Sequence, residues 1–172
     1  MAGPGKVTLI LGGARSGKSR LAQTMAEEHA GPLLYLATGQ PFDAEMTDRI
    51  ARHQADRGPR WRTVECPLDL PETIAREDAS DRLLLIDCLT LWLSNLLLGE
   101  HDIEARAQAL LAALADAKGR IILVTNEVGL GIVPENALAR SFRDEAGRLN
   151  QRIAAAAQSV ILVAAGLSLI LK

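Results

Sequence analysis

Little in this chain of 172 residues points to disulfide, metal-cluster, membrane or nucleic-acid chemistry. Only two cysteines occur, Cys66 and Cys88, at no metal-type spacing, which suits two reduced thiols in or near a core. Charge of one sign is equally short. Lys and Arg number 19 against 21 Asp and Glu, and the net charge of −2 leaves no footprint for nucleic acid or an anionic membrane. Long hydrophobic runs are missing too: Leu89–Leu98 is interrupted by Thr90, Ser94 and Asn95, so no membrane span is expected. Val7–Leu11 is too short for a secretory h-region and has no basic stretch before it. There is no repeat, linker or low-complexity segment. What remains is an ordinary globular composition, 48% apolar and 23% charged. Its length suits one domain, 1–172, with one sizeable core, and the expected compartment is the cytoplasm.

Against this plain background one stretch stands out. Gly12-Gly13-Ala14-Arg15-Ser16-Gly17-Lys18-Ser19 fits G-x-x-x-x-G-K-[ST], the phosphate-binding P-loop. Val7–Leu11 ahead of it reads as a buried strand. Ser19–His29 behind it carries Leu21, Ala22, Met25 and Ala26 at amphipathic helical spacing. Strand, glycine loop and helix are the context such a loop needs. Glycines let several backbone N–H groups converge on one anion, and the helix N-terminus adds its positive dipole end. Lys18 then reaches the β- and γ-phosphates, and the Ser19 hydroxyl holds Mg²⁺. The pattern predicts a nucleoside-triphosphate site.

The rest of the chain alternates apolar runs with helical patterns. Leu33–Ala37, Arg62–Glu65, Leu83–Ile86 and Arg120–Thr125 read as strands. Asp43–Arg57, Leu70–Arg76, Leu89–Leu98, Asp102–Ala117 and Asn136–Ala157 read as helices. Val160–Ala164 and Leu167–Leu171 flank Gly166 as a closing antiparallel pair. The expected fold is α/β and P-loop NTPase-like: a mostly parallel sheet with helices on both faces and an antiparallel C-terminal strand. Ligands in such sheets sit beyond the carboxyl ends of the strands. The candidate nucleotide ligands are therefore Gly12 to Ser19, Ala37-Thr38-Gly39, Glu65 and Asp87. Asp87 ends an apolar strand in the Walker-B manner and is a second metal candidate beside Ser19; its alternative role is to cap the helix that starts near Leu89. Asn126 and Glu127 close the next strand, as ligands or as a solvated turn.

A second signal lies on Asp43–Arg57. Arg49, His53 and Arg57 fall at i, i+4 and i+8, along one helix face. Two guanidinium groups bind phosphates as bidentate forks. Their field also disfavours imidazolium, so His53 stays neutral and nucleophilic. A neutral imidazole beside an anion-binding stripe suits attack on a nucleotide α-phosphate; a helix-face histidine without chemistry is the plain alternative.

These residues also carry a family resemblance. The P-loop, the Arg49-Ile50-Ala51-Arg52-His53 run ending at Arg57, Trp61–Glu65, the segment Val124-Thr125-Asn126-Glu127-Val128-Gly129 through Val133-Pro134-Glu135-Asn136, Phe142-Arg143-Asp144 and Gly147–Gln151 together resemble the bifunctional adenosylcobinamide kinase/adenosylcobinamide-phosphate guanylyltransferases of cobalamin biosynthesis. The resemblance spans essentially the whole chain. It implies phosphorylation of a corrinoid, adenosylcobinamide, by ATP or GTP with Mg²⁺. Transfer of GMP from GTP onto that phosphate follows, through a guanylylated histidine that maps onto His53. It places Glu65 against guanine or ribose, and it implies a homotrimer. Leu89, Trp92, Leu93, Leu96 and Leu97 lend that last point some support, since they exceed what one core-facing stripe needs, unless the chain buries them itself. A kinase for some other small alcohol, or a non-catalytic nucleotide-binding subunit, would share the loop but not the covalent histidine.

Overall fold

The first apolar run, Val7–Gly12, is the strand that everything else is built around. The computed structural model describes residues 6–40 and 58–172. In chain order the described elements are β1 (Val7–Gly12), α1 (Lys18–Glu27), β2 (Leu33–Ala37), β3 (Trp61–Glu65), α2 (Leu70–Glu77), β4 (Leu83–Asp87), α3 (Leu89–Leu98), α4 (Ile103–Ala115), β5 (Arg120–Asn126), α5 (Ala137–Ala156), β6 (Ser159–Ala164) and β7 (Leu167–Ile170). Most boundaries fall within a residue or two of expectation. Two of the shifts have a visible cause: the side chains of Asp102 and Asn136 cap α4 and α5, accepting from Ala105 N at 3.0 Å and Ala139 N at 3.1 Å, and so stand just outside those helices. The expected helix Asp43–Arg57, with Arg49, His53 and Arg57, lies outside the described residues.

The strands form one sheet in the order β3-β2-β4-β5-β1-β6-β7, parallel throughout except for β7, which runs antiparallel to β6. Parallel neighbours cannot be joined by a tight turn, and among the described residues β1, β3, β4 and β5 are each followed by helices that cover the sheet. The β6–β7 connection is a two-residue hairpin in which Ala165 and Gly166 both take positive φ, 52° and 79°. That is the twist such a turn requires, and glycine supplies half of it without strain.

Strand side chains alternate between two cores. Leu9, Leu34, Leu36, Leu84, Ile86, Ile121 and Leu123 face α2, α3, α4 and α5. Ile10, Leu33, Leu83, Leu85, Ile122 and Val124 face Ala22 and Ala26 of α1. Leu89, Trp92, Leu93 and Leu96 of α3 are all buried within the chain. That accounts for most of the apolar positions of α3, but Leu97 is only partly buried and Leu98 is 62% exposed, so part of the helix surface stays uncovered by the chain itself. Among the described residues no helix is long and apolar enough to cross a membrane.

Candidate functional site

The loop after β1 is shaped by close backbone contacts. A Cβ on Gly12 would lie 2.3 Å from the Val163 carbonyl oxygen of β6 and 2.7 Å from Ser16 Oγ, so only glycine fits. Gly17 adopts φ +100°, a left-handed conformation that L side chains rarely take. Three backbone bonds close the loop onto its neighbours: Ser16 N to Gly13 O at 3.3 Å, Gly166 N to Ser16 O at 2.8 Å, and Glu127 N to Gly12 O at 3.0 Å. Helix α1 leaves the loop directly at Lys18, with no acidic residue in its first turn and no side-chain cap from Gly17. Its first-turn N–H groups thus point into the loop with the positive end of the helix dipole behind them. Lys18 is almost wholly buried and its Nζ donates to Gly13 O at 2.9 Å, which holds the ammonium inside the ring. Ser16 Oγ is buried there with no protein hydrogen-bond partner, and Ser19 follows Lys18 in the first turn of α1.

Asp87 ends β4, in register with Ala37 of β2 and Val124 of β5. Strand β5 lies between β4 and β1, and its Asn126 is paired with Gly12. Asp87 and the loop thus stand two strand positions apart, on the order of 10 Å. The capping alternative fails, because the N-cap of α3 is Cys88 and makes no side-chain cap bond. Glu65 ends the edge strand β3, exposed, in register with Ala37 and four strand positions from Gly12, on the order of 19 Å. With phosphates in the loop, it can meet only the base or ribose end of a nucleotide. Among the described residues no group of three or more His, Cys, Asp or Glu is gathered as a metal site.

Behind this rim runs a set of buried neutral polar groups. The Thr38 side chain, wholly buried, donates from Oγ1 to Cys88 O at 2.7 Å and accepts from Cys88 N at 2.9 Å. Asn95 on α3 donates to Thr38 O at 2.8 Å and Pro67 O at 3.0 Å. Thr90 Oγ1 accepts from Asn126 N at 2.7 Å, and Asn150 on α5 accepts from Thr125 Oγ1 at 2.8 Å and donates to Asn126 O at 3.2 Å. Glu127 turns its carboxylate onto its own loop, accepting from Gly129 N at 2.6 Å. Sequence reasoning missed Thr90, Asn95 and Asn150 as contributors. The available signal was an asparagine inside an apolar helix, which first reads only as an interruption. Burial pushes the Cys66 thiol up to about 12, helped by Asp69, and the Cys88 thiol up to about 11, helped by Asp87. Neither is a nucleophile at neutral pH.

Comparison with known proteins bears on what this arrangement does. Residues 8–171 match the family described as cobinamide kinase / cobinamide phosphate guanyltransferase. The bifunctional adenosylcobalamin biosynthesis protein CobP of Pseudomonas aeruginosa is 51% identical over 166 residues, 95% of this chain and 96% of its own length. The bifunctional adenosylcobalamin biosynthesis protein CobU of Salmonella typhimurium is 45% identical over 179 residues, covering 95% and 98%. Among solved structures, the flagellar accessory protein FlaH of Methanocaldococcus jannaschii matches with a TM-score of 0.54 at 16% identity, over 98% of this chain and 79% of that one. An ATPase from the type III secretion system of pathogenic bacteria matches with a TM-score of 0.58 at 14% identity, over 97% and 57%. At such identities the structural likeness speaks for the fold alone, that of P-loop ATPases.

Proposed function

The chain belongs to the cobinamide kinase / cobinamide phosphate guanyltransferase family, and from that premise we propose how its P-loop serves two reactions. The enzyme phosphorylates cobinamide and then guanylylates the phosphate so formed. The observation that carries the proposal is the closed loop, with Lys18 held inside it and the start of α1 aimed into it. Phosphoryl transfer needs charge neutralisation and positioning more than covalent help. Backbone N–H groups from Gly13 to Ser19 would cradle the β- and γ-phosphates of ATP or GTP, and Lys18 would leave Gly13 O to follow the charge as the bond to the corrinoid hydroxyl forms. Ala37 and Gly39 would border the nucleotide beside Asp87, with the wholly buried Thr38 behind them rather than against it, and Glu65 would reach its base or ribose.

The residues present suit Mg²⁺. Ser19 and Asp87 offer hard oxygen donors, Ser16 Oγ is an unsatisfied hydroxyl nearby in the loop, and two protein ligands are as many as Mg²⁺ commonly takes beside phosphates and water. When bound, the ion would neutralise charge on the β- and γ-phosphates.

In the second reaction a nitrogen of His53 attacks the α-phosphate of GTP: the N–P bond forms and the P–O bond to pyrophosphate breaks. The corrinoid phosphate oxygen then attacks the same phosphorus, and His53 departs with its electron pair. Arg49 and Arg57 would hold the phosphates during both displacements. The chain would act as one cytoplasmic domain assembled into a homotrimer. The exposed apolar residues Leu98 at the end of α3 (62%), Leu130 (88%) and Ile132 (97%) are candidates for subunit contacts. Light scattering at micromolar concentration should give three times the mass of one chain.

The decisive experiment uses α-labelled GTP and His53→Ala. Wild type should form an acid-labile, alkali-stable adduct, the stability pattern of a phosphoramidate. The variant should form none, losing guanylyl transfer while keeping the kinase reaction. An adduct on the variant would return His53 to a helix-face histidine.

A further inference from the structure

We infer that Thr38 and Asn95 are positioning residues that aim the Asp87 carboxylate at the divalent cation, without touching nucleotide themselves. The inference rests on the metal role proposed for Asp87. The Thr38 side chain has no exposed surface to offer a ligand, and its hydroxyl is fully committed, donating to Cys88 O and accepting from Cys88 N. That N–H belongs to the peptide that follows Asp87, so a single hydroxyl fixes the backbone from which the carboxylate projects. The Cα–Cβ bond of Asp87, from which the carboxylate extends, is thereby held in place at the end of β4.

Asn95 extends the chain of contacts one step inward. It sits on α3 among Leu89, Trp92, Leu93 and Leu96, where an unpaired amide would be destabilising. Both its N–H donors are used, on Thr38 O and Pro67 O, and this joins the ends of β2 and β3 to the helix that starts beside Asp87.

The test reads metal binding apart from turnover. Mn²⁺ in place of Mg²⁺, with ATP and no corrinoid, is titrated against the enzyme and its free signal followed by electron paramagnetic resonance. Thr38→Val removes the hydroxyl at nearly constant shape and should weaken Mn²⁺ binding about tenfold, the usual cost of losing a group that orients a metal ligand. ATP affinity without metal should stay at the wild-type value. Thr38→Ser, which keeps the oxygen, should restore binding. Asn95→Ala should shift it in the same direction by less, and supplies the test should Thr38→Val fold poorly. On an Asp87→Asn background, Thr38→Val should add nothing. Variants that lose thermal stability but bind Mn²⁺ like wild type would overturn the inference. So would an equal loss of ATP affinity with and without metal, which would make Thr38 a nucleotide ligand. Wild-type Mn²⁺ binding by Asp87→Asn alone would overturn the underlying reading of Asp87 and the inference with it.

Discussion

At the carboxyl ends of the strands, the buried fastenings are neutral: Thr38, Thr90, Thr125, Asn95 and Asn150 bond to backbone or to one another. At the amino ends they are ionic, and their guanidinium groups reach water. Glu77 closes α2 among Arg62, Arg76 and Arg82, and Asp78 accepts from Lys118 N at 2.6 Å and Gly119 N at 2.8 Å. Burial raises the Glu77 carboxyl, but the hydrogen bonds and charge of Arg62 and Arg76 more than offset this and hold it below its ordinary value. The difference is instructive. Hydroxyls and amides can order a rim without adding fixed charge that a polyphosphate would disturb. Ion pairs bring competing charges, and the amino ends, where no polyanion is expected to arrive, can carry them.

The largest effect that would test this contrast is at Lys18. Lys18→Ala should lower kcat/KM of both reactions by about 100- to 1000-fold, or about 3–4 kcal/mol, with little change in Tm. Steady-state assays of the two activities, run in parallel, check it. Survival of either reaction would mean a second triphosphate site and would end the one-loop reading.

Next in size is the loop's shape. Gly12→Ala places a methyl 2.3 Å from Val163 O, so β1 and β6 must part. Overpacking of this kind costs about 1–3 kcal/mol, and nucleotide affinity should fall with stability. Gly13→Ala is the control: its Cβ meets nothing within 4 Å, and Tm should hardly move. Chemical denaturation with and without ATP separates the two.

Much of this was legible along the chain because it is local. The loop Gly12–Ser19 with its flanking strand and helix, the terminal hairpin around Gly166 and the helix starts beside Asp102 and Asn136 all depend on residues within a few positions of each other. The sheet order was not legible, since apolar runs do not say which strands are neighbours. Nor were the contacts of Asn95 with Thr38, 57 residues away, or of Thr90 with Asn126, 36 away. The apolar positions of α3 were legible only in part for a related reason: counting them cannot tell which sides of a helix the chain itself packs, as at Trp92, and which it leaves open, as at Leu98.

At the amino ends, Asp78→Ala should remove two backbone acceptor contacts where water can partly replace them. The expected loss is about 1 kcal/mol of stability with both activities intact. Urea melts and the paired assays report on it. A fall in activity without a fall in stability would erase the distinction between the two ends.

The smallest expected effect is at Glu72 and Arg106, which join α2 to α4. The guanidinium grips the carboxylate through two bonds, 2.6 and 2.7 Å, and adds Leu68 O at 2.8 Å. Hydrogen bonding from Arg106, and its charge, hold the Glu72 carboxyl below its ordinary value of 4.5. A depressed carboxyl contributes stability that is fully present above the unfolded value and lost as pH falls through the folded one. The pair should therefore stabilise at neutral pH and stop doing so as the solution is acidified below 4.5. Glu72 is half exposed, so water and salt screen the pair, and a double-mutant cycle with Glu72→Gln and Arg106→Met should return less than about 1 kcal/mol at pH 7. The cycle energy should shrink as acid protonates the Glu72 carboxyl and fall in high salt. Wild type should lose Tm more steeply than Glu72→Gln across the acid limb. A coupling unchanged by acid or salt would mean that the two helices are joined by packing, and that their ion pair is incidental.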